Sequence, residues 1–306
     1  MKSTLKILVA LFLMLSLIPL TALRFYDNSK GKFKVYDENK KKIISLAPRE
    51  YVIGALSCEM PPSFHKEALK AQAAAIFTNA VRSSFAEDEY VASVNQKEFK
   101  GYADKEHLKE RWGKNFSLYY EKICSAVDEV IGAVITYDGR PIIAAYHSMS
   151  SGRTENAENV WGESVPYLVA AASEGDTFCA DLEAEKTFTV EDIRKILSEA
   201  FPKAFLPEVD TLLLTEAEYS PSGTLTSVMV GNVKTNGQKL RSLFSLRSAA
   251  ITYEIKEGKI TFKTKGYGHG VGLSQYGADF MARQGANFKE ILSHYYNGSG
   301  ILYTMQ

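Results

Sequence analysis

"EYVIGALSCEMPPSFHKEALKAQAAA", residues 50–75, places a carboxylate at Glu59 between a periodic apolar run and a Pro-Pro pair. Val52, Ile53 and Leu56 recur at helical spacing, with Pro48 where that helix begins. Pro61 and Pro62 have no N–H to donate and stop it. Ser63 offers an N-cap for a second helix over residues 64 to about 84, whose face carries Leu69, Ala73, Ile76 and Ala80. Its alanines let a neighbouring backbone come close. The stretch reads as a helical hairpin with Glu59 at the elbow.

Outward from the hairpin the period changes. "KFKVYDENKKKIISLA" before it reads as a β-hairpin around Asp37-Glu38-Asn39, with Lys40-Lys41-Lys42 as its solvated tip. "GAVITYDGRPIIAAYHS" reads as two apolar strands around Asp138-Gly139, a strong hairpin signal. A polar loop rich in Ser, Gly, Asn and Glu follows. Residues 188–201 have a helical pattern, whereas "LTSVMVGN", "RSLFSLRSAAITYEI" and "KITFKTKGYGH" have strand character. Near the end, Gly285 closes one helix, Asn287 with Glu290 forms a capping box for another, and Gly298 stops it. Helices and strands run in segregated blocks without repeats. That pattern predicts an α+β fold, a helical hairpin packed on mostly antiparallel sheet.

The 306 residues suffice for one large domain or two modest ones. The 36 basic and 36 acidic residues cancel, so no basic excess exists to neutralise phosphates and a nucleic-acid partner is not expected. After Lys2 and Lys6, residues 7–23 carry no charge. That run is at the short end of the about 17–25 residues that span a bilayer, and it also has the layout of a signal peptide with a poor cleavage site. Residues 1–24 are therefore read as a membrane-anchor helix or a signal segment, and residues 25–306 as the exported body. Positive-inside logic puts the body outside the cell membrane, single-pass if the anchor stays. Cys58, Cys124 and Cys179 have no metal-ligand spacing. A buried small hydrophobe is the simpler account of Cys58, and a nucleophile the sharper one.

Three segments in order, "EYVIGALSCEMPPSFHKEALKAQAAA", "AAYHSMSSGRTENAENVWG" with "VPYL", and "GYGHGVGLSQYGADFMARQGANFKEIL", resemble the SpoIID family. This is the stage II sporulation protein D group of peptidoglycan lytic transglycosylases, related to the LytB amidase enhancers. "NQKEFKGY" between them also fits, and the likeness spans residues 45–301. The resemblance implies that Glu59, in "CEMP", is the catalytic acid, with Cys58 where the family usually has serine. It implies cleavage between N-acetylmuramic acid and N-acetylglucosamine to give 1,6-anhydro ends, on peptide-stripped strands, in engulfment during sporulation. The implied partners are glycan strands, a cell-wall amidase and membrane proteins of the engulfment machinery. The amidase-enhancer likeness leaves a second reading open, a glycan-binding module that does not cleave.

The residues themselves suit such chemistry. A carboxylate in a helix's last turn faces the negative end of the macrodipole, which disfavours ionisation, and partial burial pushes the same way. Kept protonated, it can act as a general acid. Most helix-end glutamates simply face solvent. His147, Ser148, Ser150, Ser151 and Thr154 gather donors where a strand runs out, which suits sugar hydroxyls or, equally, a turn satisfying its own backbone. Trp161 is a stacking platform or a core residue. The glycines of "GYGHGVGLSQYG" lack a phosphate-loop pattern, suit close approach of a glycan, and turn His269, Gln275 and Tyr276 towards substrate. Glu155 and Glu158 are the rival carboxylates for a two-carboxylate mechanism. Some relatives bind zinc near "YHS…SG", but only His147 of a tetrahedral set is evident here, so no metal is expected.

Overall fold

The computed structural model describes residues 31–85 and 90–304. The anchor or signal read over residues 7–23 lies outside them. Among the described residues no helix is long and apolar enough to cross a membrane. The architecture is α+β: small sheets, antiparallel except for two parallel pairings, with helices against them. The chain divides into two compact units. One holds residues up to Ala144 with Asn287–Lys289 and the residues from Gly298; the other holds Ala145–Ala286 and Glu290–Asn297.

In the first unit, strands Phe33–Asp37 and Lys42–Leu46 form the expected hairpin. Its turn is tied by the Asp37 carboxylate, which accepts from the backbone N–H of Asn39 (3.0 Å) and Lys40 (3.1 Å) and from Gln96 Nε2 (2.7 Å). Helix α1 (Pro48–Glu59) starts on proline, whose missing N–H costs nothing in the first turn. Its end follows from Pro61. The residue before a proline is driven out of the helical region, and Met60 is extended (φ −133°, ψ 137°) while its N–H still reaches Leu56 O at 3.0 Å. Helix α2 is Lys66–Phe85. It begins two residues later than the sequence suggests, because Phe64 N–H closes a turn onto Pro61 O (3.1 Å). The cap is accordingly His65, not Ser63: its Nδ1 accepts from Glu67 N–H (3.3 Å).

The buried face of α2, with Ala68, Leu69, Ala71, Ala73, Ala74, Ile76 and Ala80, packs on α1, on the helix Phe116–Asp128 and on strand Ala133–Tyr137. Thr78 Oγ1 accepts from Ile135 N–H (2.9 Å), and Asn79 pairs with both backbone groups of Ala144 (Nδ2 to O 2.9 Å, N–H to Oδ1 3.0 Å). The Asp138-Gly139 turn has positive φ at both residues (48° and 74°), as a two-residue hairpin requires. Its second arm is shorter than expected, only Arg140–Pro141, because Asn79 takes the backbone groups of Ala144 that a strand would use. Strand Gly300–Tyr303 covers the other edge.

The second unit is built around strands Glu183–Thr189, Lys259–Lys265 and Ile251–Lys256, antiparallel in the order 251–256, 259–265, 183–189. A second sheet pairs Leu214–Tyr219, Leu225–Val230 and Val233–Thr235. Phe244 and Phe262 stack at the centre of a core shared with Ile193, Leu197, Val228 and Leu240, and the partly buried Phe188 packs against them at an angle. Two sequence readings change here. Phe188 and Thr189 end a strand, and the helix starts at Val190 because Thr189 accepts from Asp192 N–H (3.1 Å). "RSLF" belongs to the helix Gly237–Phe244, capped by Asn236 onto Lys239 N–H (2.9 Å), with Leu240 and Phe244 one turn apart in the core. Strand begins only at Ile251.

Asn79→Ala should cost about 2 kcal/mol, since it strands a buried N–H and a carbonyl together. Urea denaturation would measure this, and a change within 0.5 kcal/mol on that scale would show the pair to be dispensable.

Candidate functional site

Glu59 is the last residue of α1 and is half-buried beside Met60, itself 1% exposed. Burial raises its carboxyl above the usual carboxylate range, and no hydrogen bond or cation acts against it. The helix C-terminus adds in the same sense. Its charge is felt by neighbours: the Tyr51 phenol is raised mainly by burial and then by Glu59. The Cys58 thiol is pushed up to about 12, again chiefly by burial, with Arg111 opposing and Glu59 adding. Such a thiol stays protonated and is a poor nucleophile. All three cysteines are free.

The elbow is held by residues distant in sequence. Arg111 Nη1 donates to Ser57 O (3.3 Å) in the last turn of α1, and Lys122 Nζ donates to Phe64 O (2.6 Å) beyond the prolines. Gly54 of α1 leaves room for Tyr102, whose ring would lie 2.4 Å from any added Cβ. No local pattern marks Arg111 or Lys122, because each acts through a carbonyl that any residue carries.

The other sequence-selected residues lie in the second unit. His147 is buried; its Nδ1 donates to Val271 O (3.1 Å), so in the neutral ring Nε2 is a bare acceptor, and that atom has no partner. His269 is half-buried and accepts from Val271 N–H at Nδ1 (3.0 Å). Its ring centroid lies 5.7 Å from that of His147 and 5.8 Å from that of Trp161, which is 43% exposed. Burial lowers both imidazoles, to about 4 for His147 and about 3 for His269. The charge of Arg241 adds to both, and His147 adds to His269. Arg241 is joined to this group through Gln238, which accepts from Arg241 Nη1 (3.5 Å) and donates to His269 O (3.4 Å).

The serine-rich loop is tied internally. Ser150 gives both its N–H (2.7 Å) and its Oγ (2.6 Å) to Asp176, which also accepts from Ser274 Oγ (2.7 Å). Asp176 is fully buried; burial raises its pKa while these serines pull it down. Ser151 Oγ donates to Ser222 O (2.6 Å), and Thr154 Oγ1 accepts from Ala171 N–H (2.8 Å). Ser148 O receives Tyr276 N–H (3.1 Å), and Gln275 is buried. Of the rival carboxylates, Glu155 is buried and accepts from Asn156 N–H, Asn159 Nδ2 and Ser220 Oγ, whereas Glu158 is exposed. The close approach made by the glycine-rich segment is to its own chain, not to open space: an added Cβ at Gly268 would lie 2.7 Å from His147 Cβ, and one at Gly272 2.2 Å from Ala145 O. Among the described residues no group of three or more His, Cys, Asp or Glu side chains is arranged to hold a metal ion.

The family model for the stage II sporulation protein SpoIID matches residues 36–137, which include the elbow. The chain is 36% identical over 272 residues to stage II sporulation protein D of Bacillus amyloliquefaciens, covering 87% of this chain and 77% of that one. It is 34% identical over 272 residues to the protein of the same description from Bacillus subtilis (strain 168), covering 87% and 78%. An amidase enhancer of Bacillus subtilis (strain 168) is 25% identical over 295 residues, which make up 80% of this chain but 39% of that protein. The chain belongs to the stage II sporulation protein D family.

The depressed His147 has a consequence for stability. Below pH 6.5 the unfolded chain takes up a proton that the buried ring accepts only near pH 4, so stability falls as pH falls across that window and is full above it. At 1.36 kcal/mol per pH unit the loss reaches about 3 kcal/mol by pH 4. Urea titrations at pH 7 and 4.5 should show it, and His147→Gln should flatten the slope. An equal slope in both chains would contradict this burial.

Proposed function

We propose that this protein is a cell-envelope lytic transglycosylase. It cleaves the bond between N-acetylmuramic acid and N-acetylglucosamine in peptide-stripped glycan strands, in septal wall remodelling and engulfment during sporulation. The observation that carries the reading is Glu59: a carboxyl group whose protonated form burial favours, with no competing hydrogen bond, at the end of a helix stopped by two prolines. Glu59 donates that proton to the glycosidic oxygen as the bond to the muramoyl anomeric carbon breaks. The resulting carboxylate then takes the proton of the muramoyl C6 hydroxyl as O6 closes on the anomeric carbon. The product is a 1,6-anhydro end, and Glu59 is returned protonated. One carboxyl group serves both steps, which suits a chain whose rival Glu155 already accepts three hydrogen bonds.

His147, Ser148, Ser150, Ser151, Thr154, Trp161, His269, Gln275 and Tyr276 are assigned to substrate binding in the same reading. Trp161 is the clearest support, because its ring is 43% exposed beside His269 and offers a stacking face to a sugar. The protein's part in the proposed chemistry is proton transfer, which calls for no cofactor. A cell-wall amidase supplies the peptide-free strands, and residues 7–23 attach the chain to the membrane with the body outside. The likeness to an amidase enhancer favours a second reading, glycan binding without cleavage.

Glu59→Gln should leave the fold intact and lower cleavage by about 10²–10⁴-fold. Mass spectrometry of products from amidase-treated sacculi should show anhydro-muramoyl ends with the native chain and almost none with the variant. Unchanged turnover in a folded Glu59→Gln chain would remove the catalytic assignment. A native chain that binds strands but releases nothing would select the enhancer reading.

A further inference from the structure

The second unit contains a cavity of about 400 Å³ that the proposed chemistry does not use. Its size lies within the range of about 300–1,000 Å³ typical of small-molecule sites. The floor is the solvent face of the sheet 251–256, 259–265, 183–189. Lys263 stands opposite Glu185 and Thr252, and Lys265 opposite Glu183. The wall is Tyr219, at the end of its strand, 45% exposed and followed by a tight turn in which Ser220 N–H meets Thr224 O. Ser151 borders the cavity on the side of the serine-rich loop.

Two features define what this place can hold. The first is charge. Lys263 pairs with Glu185 (3.2 Å) and Lys265 with Glu183 (2.9 Å), so the floor has two cations, two anions and no net charge. A polyanion gains nothing there, and neither does a polycation. What remains accessible is the row of lysine methylenes with polar groups at its edges, beside a half-exposed phenol ring. A hydroxylated, uncharged ligand with an apolar C–H face matches that surface: the face lies on Tyr219 and the lysine stems, and hydroxyl or acetamido groups meet Thr252, Ser151 and the outward lone pairs of the glutamates.

The second feature is continuity. Ser151, Ala250 and Lys265 line this cavity and also a smaller cleft that contains Gly268, His269 and Gly270. The two therefore adjoin along these three residues. A linear ligand engaged at His269 and passing Ser151 would reach the cavity beside Tyr219.

We propose that the Tyr219 cavity is a glycan subsite, taking an N-acetylated sugar of a strand whose neighbouring part lies against His269. This rests on the reading of the chain as a peptidoglycan-binding protein, but not on its cleaving the strand. The test is calorimetric titration of the full chain carrying Glu59→Gln with the N-acetylglucosamine tetramer, which removes turnover from the measurement. Tyr219→Ala should weaken binding about tenfold and Tyr219→Phe by less than twofold, with amide shifts on titration at Thr252 and Lys263. Circular dichroism establishes that each variant is folded, and Tyr219→Phe keeps the ring if the alanine chain is not. The proposal is overturned if the tetramer does not bind, or binds Tyr219→Ala as well as the native residue. It is equally overturned if a sugar-free stem peptide, and not the tetramer, shifts Thr252 and Lys263. Failure of the native chain to release anhydro ends would defeat the cleavage reading and leave this binding result standing.

Discussion

The methyl face of α2 is the constraint on which the first unit depends. Six alanines between Ala68 and Ala80 are buried, so α1, the helix Phe116–Asp128 and strand Ala133–Tyr137 all come close to one helix axis. Larger side chains would push these elements apart, at a cost of about 1–3 kcal/mol for each overpacked position. The position of α1 sets that of its last residue. Glu59 is therefore placed by alanines up to a helix away in sequence, and the Met60–Pro61–Pro62 break fixes the direction in which it leaves the packed layer.

Three carboxyl groups show how environment separates role from residue type. Asp176 is more deeply buried than Glu59, but three serine groups donate to it, and it closes the loop around Ser150 and Ser274. Glu155 is likewise surrounded by donors. Both are anchors. Glu59 has burial without donors, which stabilises the protonated form and leaves the proton available. A conventional pair of catalytic carboxylates calls for a second group with a free face; Glu155 is tied by three donors, and of the two rivals only Glu158 is exposed.

Much of this was legible in the sequence, and the failures share a cause. Proline, glycine and alternation place the elbow, the first hairpin and the Asp138-Gly139 turn, since each depends on local backbone geometry. "RSLF" was misread as strand because it was read together with the strand that follows from Ile251, and only the Asn236 cap and the Leu240–Phe244 pair in the core decide for helix. The second arm of the Asp138-Gly139 hairpin was overestimated because a side chain from α2, Asn79, captures its backbone. The place of Glu59 at the end of α1 was readable from the Pro-Pro break that follows it. Arg111, Lys122, Asp176 and Arg241 were not, because their partners are carbonyls, serines and rings brought together only by the fold. The glycine-rich segment was located correctly but its purpose was not: its missing side chains make room for His147 and Ala145.

The same electrostatics narrows what can titrate near neutrality. His147 and His269 are pushed by burial and Arg241 to about 4 and about 3, so both rings are neutral throughout the range where cells work. Neutral rings with fixed hydrogen-bond directions can orient a sugar but cannot supply a proton there. The Cys58 thiol, pushed to about 12, is silent as well. Glu59 moves the other way, towards neutrality, which is where an acid catalyst is most effective. Burial thus pushes the competing groups out of the working range and brings one carboxyl group towards it, and an elbow of two prolines keeps that group in place.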